Sequence, residues 1–189
     1  EAIGTSKLKT NSLMVMNNYA KNGFTSITSM GITTSDKKVI HLYNHISSQR
    51  SSFLNDMLSA IGILPERNHT VRNFVFVRYD AAHLLPSSSK NGDDFFKIAG
   101  IKFWYDGSPY TGSMYLEKPY LENYFTRNVL HFPPAHSGSP LLTKDQLGSL
   151  IAEYQAADWQ VAIHTQGDMS TRDVIHTFEK LNTNSKKDY

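Results

Sequence analysis

The chain contains no cysteine. Disulfides, iron–sulfur clusters and cysteine-ligated zinc are therefore excluded, and any metal must rest on histidine and carboxylates. Charge of one sign is also lacking. Nineteen Lys and Arg stand against 17 Asp and Glu, a net of +2, and no Lys/Arg-rich stripe supplies an electrostatic footprint for nucleic acid. No apolar run is long enough to span a bilayer and no signal peptide opens the chain, so the expectation is a cytoplasmic protein with no membrane partner. The GxGxxG and P-loop motifs are missing, as is the GxSxG nucleophile elbow. Nothing in the sequence then argues for nucleotide binding or serine-hydrolase chemistry.

What is present suffices for a core. Hydrophobic residues make up 40% of the 189 positions and charged ones 19%, with ten Phe and ten Tyr, which excludes a disordered chain. The length fits one domain, or a large piece of one. The first residue is Glu1 rather than Met, as expected of a piece of something longer. Asn68-His69-Thr70 fits a glycosylation acceptor, a triplet common by chance.

Periodicity divides the chain into alternating elements. Ser12 to Asn22 reads as a helix, Phe24 to Met30 as a short strand, and Asp36 to about Leu64 as helix in one or two pieces ended by Pro65. Thr70 to Tyr79 is a second strand, apolar on both faces over Phe74–Val77, as a parallel strand covered on both sides would be. Asp80 to Gly92 reads as loop, and Ile98 to Tyr105 as a third strand. Residues 107–140 form a long irregular stretch with five prolines, of a length that is usually functional. Thr143 and Gln146 make a capping box for a helix carrying Leu147, Leu150, Ile151 and Tyr154. Trp159 to His164 is a fourth strand. A helix from about Ser170 to Leu181 turns Val174, Ile175, Phe178 and Leu181 inward, and 182–189 is a polar tail. Strands alternating with helices predict an α/β fold with a parallel sheet, in a single domain over 1–189.

Two stretches end in chemistry. In Ile98-Ala-Gly-Ile-Lys-Phe-Trp-Tyr-Asp-Gly-Ser108, Lys102 interrupts an apolar strand. Its plain reading is a lysine whose stem packs while its head reaches water. Its functional reading is a lysine carrying CO₂ as a carbamate, an anion able to bridge two divalent cations. In Trp159-Gln-Val-Ala-Ile-His-Thr-Gln-Gly-Asp168, His164 stands at the strand's end, where α/β folds build their sites. It is a structural histidine or a metal ligand of the kind zinc favours. Asp168 suits a helix N-cap and is also placed to orient the site. Asp106, Gly107 and Ser108 form a turn, or a loop facing substrate. His41 and His45 have zinc-binding spacing but lack the Glu of HExxH, and His131 and His136 flank Pro133-Pro134 as surface residues.

These segments resemble the metal-dependent amidohydrolase superfamily, in its YtcJ-like branch (amidohydrolase family 3). The branch has a strand-four segment close to VKLFADGSLGSRTA, which stands here as Ile101-Lys-Phe-Trp-Tyr-Asp-Gly-Ser-Pro-Tyr-Thr-Gly-Ser113 with Pro119-Tyr120 following. Its strand-five segment, close to QVAIHAIGDRA, stands as Gln160-Val-Ala-Ile-His-Thr-Gln-Gly-Asp-Met169. Lys21-Asn-Gly-Phe-Thr-Ser-Ile27 looks like its second strand.

The resemblance implies a partial TIM-type (β/α)₈ barrel, about strands two to five with their helices, and a metal-dependent hydrolase acting on an amide or other C–N bond. Lys102 would be the carboxylated, metal-bridging lysine and His164 a ligand to a divalent metal, with zinc the expected ion. Asp106, Gly107, Ser108 and Asp168 would serve substrate or the surroundings of the metal. A small-molecule amide-like substrate is implied. The family's strand-one His-x-His, strand-six His and strand-eight proton-shuttle Asp have no counterpart here, so no catalytic residue is expected within the chain and the isolated chain is expected to be inactive. Arg is absent where the family often has GSR and GDR; Gly112-Ser113 and Met169 stand there. Half a barrel leaves two strand edges unpaired, so self-association or pairing with missing barrel segments is expected. A competing expectation is a non-catalytic, barrel-derived binding module whose pocket is made by Tyr105, Tyr110, Tyr115, Tyr120, Tyr124 and Phe125.

Overall fold

The computed structural model describes residues 5–32, 36–47, 57, 61 and 71–181, the side chains of Thr5, Ser6 and His45 aside. The second half of the helix expected from Asp36 to Leu64, the Asn68-His69-Thr70 triplet and the polar tail lie outside these, apart from Met57 and Ile61. Four strands, β1 (Ser26–Ile32), β2 (Arg72–Arg78), β3 (Phe96–Trp104) and β4 (Gln160–His164), form one sheet in the order β1-β2-β3-β4. The sheet is parallel, as helical crossovers between strands require. Each strand lies beside its sequence neighbour, with no reversal of order, as in an arc of a (β/α)₈ barrel. A doubly wound sheet would show a switch point. The chain clusters into two compact units, Glu1–Gly100 and Ile101–Tyr189, with the division inside β3.

In the first unit, α1 (Thr5–Lys21) packs on α2 (Lys38–Ser47). Met16, Ile46 and Val71 form the buried centre, with Leu13, Ala20, Ile27, Leu42 and Tyr43 against it. The first helix begins earlier than the sequence predicts. Residues 5–11 are polar apart from Leu8, so they carry no periodic signal, yet they hold good helix formers. Gly23, at φ +85°, and Asn22 close it with hydrogen bonds to the last turn. The β1–β2 ladder slips by one residue between Met30 and Ile32. Gly31 sits at the slip with φ +115°, the backbone freedom a bulge needs. The stretch predicted as loop from Asp80 starts instead as a 3-10 helix, Tyr79–Leu84, because Ala81 and Leu84 bury themselves.

β3 is led in by local polar chemistry. Asp93 accepts from the Phe95 and Phe96 N–H groups, both at 2.9 Å, and the Asn91 side chain bonds both backbone groups of Ile98. Burial along β3 then changes phase. Phe96 and Ile98 are buried with Lys97 and Ala99 less so, whereas from residue 101 the odd positions Ile101, Phe103 and Tyr105 are fully enclosed.

In the second unit, α3 (Lys144–Ala156) and α4 (Asp168–Leu181) pack on each other. The capping box predicted at Thr143 and Gln146 is formed in both directions, at 3.2 and 2.9 Å. Leu147 and Ile151 are completely buried, and Phe103 meets Tyr154 at 5.8 Å between ring centroids. α4 corrects the sequence reading. Ile175 and Leu181 are exposed, while Ser170, Asp173, Val174 and Thr177 face inward. A polar side chain with a partner can occupy the inner face: Asp173 accepts from the Tyr105 hydroxyl at 3.0 Å and pairs with the Lys144 ammonium at 3.1 Å. Burial and this bond raise the Tyr105 pKa, keeping the phenol protonated.

Candidate metal centre at the ends of two strands

Lys102 and His164 belong to the same unit and to adjacent strands. The Tyr105 N–H donates to the His164 carbonyl at 3.0 Å, which in a parallel ladder sets Trp104 beside His164 and Lys102 beside Ala162. Side chains alternate along a strand. Lys102, Trp104, Ala162 and His164 therefore share one face, opposite to that of Phe103 and Tyr105, which meet Tyr154 and Asp173 on the helices. Strand spacing and rise place the Lys102 and His164 Cα atoms about 8 Å apart on the diagonal, within reach of a lysine stem.

The Lys102 side chain is nearly enclosed, at 9% exposure, and its ammonium lies 5.6 Å from the centre of the Trp104 ring. Among the described residues it meets no carboxylate. Burial lowers its pKa, because an ammonium loses its hydration there. A cation–π contact recovers only part of that loss. The uncharged amine is thereby more accessible than in a solvated lysine. His164 is half-buried.

Asp106 lies directly beyond β3 and is fully buried. One carboxylate oxygen accepts the Gln166 N–H at 2.9 Å. The other accepts the Gly167 N–H at 2.8 Å and the Tyr115 N–H at 3.0 Å. Both oxygens are thus engaged by backbone, which leaves the carboxylate turned inward and not toward a ligand.

Gly107 bonds the Ser113 carbonyl through its N–H at 3.1 Å. Ser108 caps the short 3-10 turn Pro109–Thr111, its hydroxyl accepting from the Tyr110 N–H at 3.2 Å. Asp168 opens α4, where a carboxylate is favoured by the helix dipole, and accepts from the Met169 and Glu117 N–H groups at 2.8 and 2.9 Å. The bond from Glu117 is the main cause of its lowered pKa.

Residues 107–140 form a folded arm. Leu116 and Tyr120 donate to the Ser137 and His136 carbonyls, both at 2.8 Å. Tyr120, Phe132 and His136 gather, with the Tyr120 and His136 rings stacked at 5.6 Å. His136 is therefore half-buried rather than a surface residue, and bonds the Gly112 carbonyl at 2.6 Å. The arm is tied to α4 through Asp168 and through the Arg172–Glu117 ion pair at 2.9 Å.

The aromatic pocket expected from the sequence does not form. Tyr110, Tyr124 and Phe125 are exposed, whereas Tyr105 is buried against the helices. They belong to different faces because their spacing follows no single element. His41 is exposed on α2. Sequence reasoning missed Asp173 and the backbone donors of Tyr115, Gln166 and Gly167. The only trace of Asp173 is its place beside Val174 and four positions before Thr177.

His164 offers a donor of the type zinc takes, and Lys102 stands on the same face of the neighbouring strand. Among the described residues no cluster of three or more His, Cys, Asp or Glu completes a metal centre, whereas a zinc site takes three or four protein ligands. No helix of the described residues is long and apolar enough to cross a membrane.

A family model described as "Amidohydrolase family" matches residues 7–189. No curated protein matches the chain significantly in sequence. Two solved structures are similar in fold, both described as uncharacterized metal-dependent hydrolases. The one from Pyrococcus horikoshii OT3 has 18% identity and a TM-score of 0.60, covering 94% of this chain and 31% of its own. The one from Pyrococcus furiosus has 19% identity and a TM-score of 0.61, covering 96% and 33%. The chain thus spans about a third of the length of these structures.

Proposed function

The chain belongs to the amidohydrolase family, and from that premise we propose that it supplies strands two to five of a metal-dependent hydrolase that cleaves an amide or other C–N bond in a small molecule. The observation that carries the reading is the desolvated Lys102 amine and the His164 imidazole on one face of neighbouring strands. In this reading the Lys102 amine, when uncharged, would add CO₂ and lose a proton, and the resulting carbamate would help hold a divalent ion, zinc by donor type. His164 is a second ligand. When bound, such an ion lowers the pKa of its water to about 7 and polarises the scissile carbonyl. Trp104 and the apolar strand keep the amine out of water, and the arm is bonded to residues that follow both strands, Asp106 and Asp168. The remaining ligands and a proton-shuttling Asp belong to segments outside residues 1–189. The strands or copies that complete the pairing of β1 and β4, the two ends of the sheet, would come from the same segments or from a second chain.

The test uses the full-length protein charged with ¹³C-bicarbonate and zinc. A carbamate carbon resonance is expected in the wild type and absent in K102A. Hydrolysis of N-acyl substrates is expected in the full-length protein, and its loss in both K102A and H164A. Hydrolysis by the 189-residue chain alone, or full activity in K102A, contradicts the reading.

A further inference from the structure

We propose that Asp106 is a positioning residue that locks the backbone following His164 to the arm of residues 107–140. Its significance for catalysis rests on the metal reading of His164; the geometry does not. One buried carboxylate, at 0% exposure, collects three N–H donors from two segments far apart in sequence. Two of them, Gln166 and Gly167, lie immediately after His164, and the third, Tyr115, belongs to the arm. The neighbouring residue Tyr105 holds the His164 carbonyl itself. Positions 164, 166 and 167 are therefore pinned to consecutive residues of the β3 end.

A second observation points the same way. A Cβ added to Gly167 would run into the carbonyl oxygen of Tyr115. The turn after His164 and the arm thus pack backbone on backbone, with Asp106 supplying the common acceptor between them. Three donors without an acceptor in a buried setting would each carry the cost of desolvation. A neutral amide cannot replace the carboxylate. Placed so that its oxygen serves Gly167 and Tyr115, its NH₂ faces the Gln166 N–H, donor against donor. The histidine ring can hold one orientation only if the backbone carrying it holds one, which is how groups around a site tune its ligands.

The experiment follows the His164 ring ¹H–¹³C correlation and backbone amide exchange in D106N of the full chain. The expected result is a broadened or split His164 ring signal, with the Tyr115, Gln166 and Gly167 amides exchanging about tenfold faster and the His41 and His83 ring signals unmoved. If D106N does not fold, G167A serves instead. It forces the arm off the turn while leaving Asp106 in place, and the same change at His164 is expected. A sharp, unshifted His164 signal in a folded variant whose three amides exchange faster makes Asp106 purely structural and overturns the proposal. Unchanged amides overturn it as well. Zinc titration of the wild type, run alongside, separates the two readings. Absence of zinc binding sinks the metal assignment of His164, whereas only the ring signal decides the role of Asp106.

Discussion

The two units of the chain bury different things. Among the described residues of 1–100 the buried set is mainly apolar, Met16, Ile46 and Val71 with Val75 and Val77 on β2, and its buried polar members are the uncharged Ser47 and Asn73. In residues 101–189 the enclosed set includes Lys102, Asp106, Ser170, Asp173 and Thr177 beside Ile101, Phe103 and Leu147. Burying a polar group costs free energy unless a partner receives it, so its presence marks where the fold is specified by more than volume. Every candidate site residue falls in the second unit. Among the described residues the first unit buries two uncharged polar side chains, whereas the second also buries charged ones, Lys102, Asp106 and Asp173.

The contrast can be broken experimentally. The largest effect is expected in the first unit. Ile46, 4% exposed in the α1–α2 core, should cost about 3 kcal/mol when cut to Ala, read as a lower urea midpoint at constant slope. Asp173→Ala comes next. It strips the acceptor from the buried Tyr105 hydroxyl and from Lys144, for about 2 kcal/mol. If Asp173→Ala proves neutral, the buried charge at Asp173 contributes nothing to the fold and the contrast fails. Thr143→Ala removes half of the capping box and should cost about 1 kcal/mol, with Thr143→Ser close to wild type.

The smallest effect is pH dependence of the arm. Glu117 is held below its ordinary 4.5 chiefly by its hydrogen bond with Arg172, and Asp168 below 3.8 chiefly by the Glu117 N–H. Both folded values are depressed, so the contribution is fully present above about pH 4.5 and fades as the pH falls through the folded values. The protection factor of the Glu117 amide should fall below pH 4 and stay flat from 5 to 8. Because both groups are exposed, salt should weaken the effect. A flat profile down to pH 3 would show that the arm is anchored by Asp106 alone.

How much was legible depended on whether a signal lay along the chain. Three of the four strands were readable from apolar runs and the first from its β-branched residues, and Lys102 and His164 stood out because one interrupts such a run and the other ends it. The capping box was readable because it needs only residues three apart. The inner face of α4 was not, since Asp173 and Thr177 qualify as interior only through partners, and one partner, Tyr105, lies 68 positions away. The work of Asp106 was hidden for the same reason. Its donors are backbone groups 9, 60 and 61 residues away, which no side-chain pattern announces. The aromatic pocket failed because a count of rings in a loop says nothing about which of them face one another.

The central claim is that Lys102 and His164 serve one metal ion. The most direct measurement is anomalous scattering at the zinc edge from crystals of the full-length protein grown with zinc and bicarbonate. The account predicts a peak about 2.0–2.1 Å from a His164 ring nitrogen, with density for a carboxylated Lys102 reaching the same peak. A peak elsewhere, or an unmodified Lys102 ammonium resting on Trp104 with zinc present in the crystal, would contradict it.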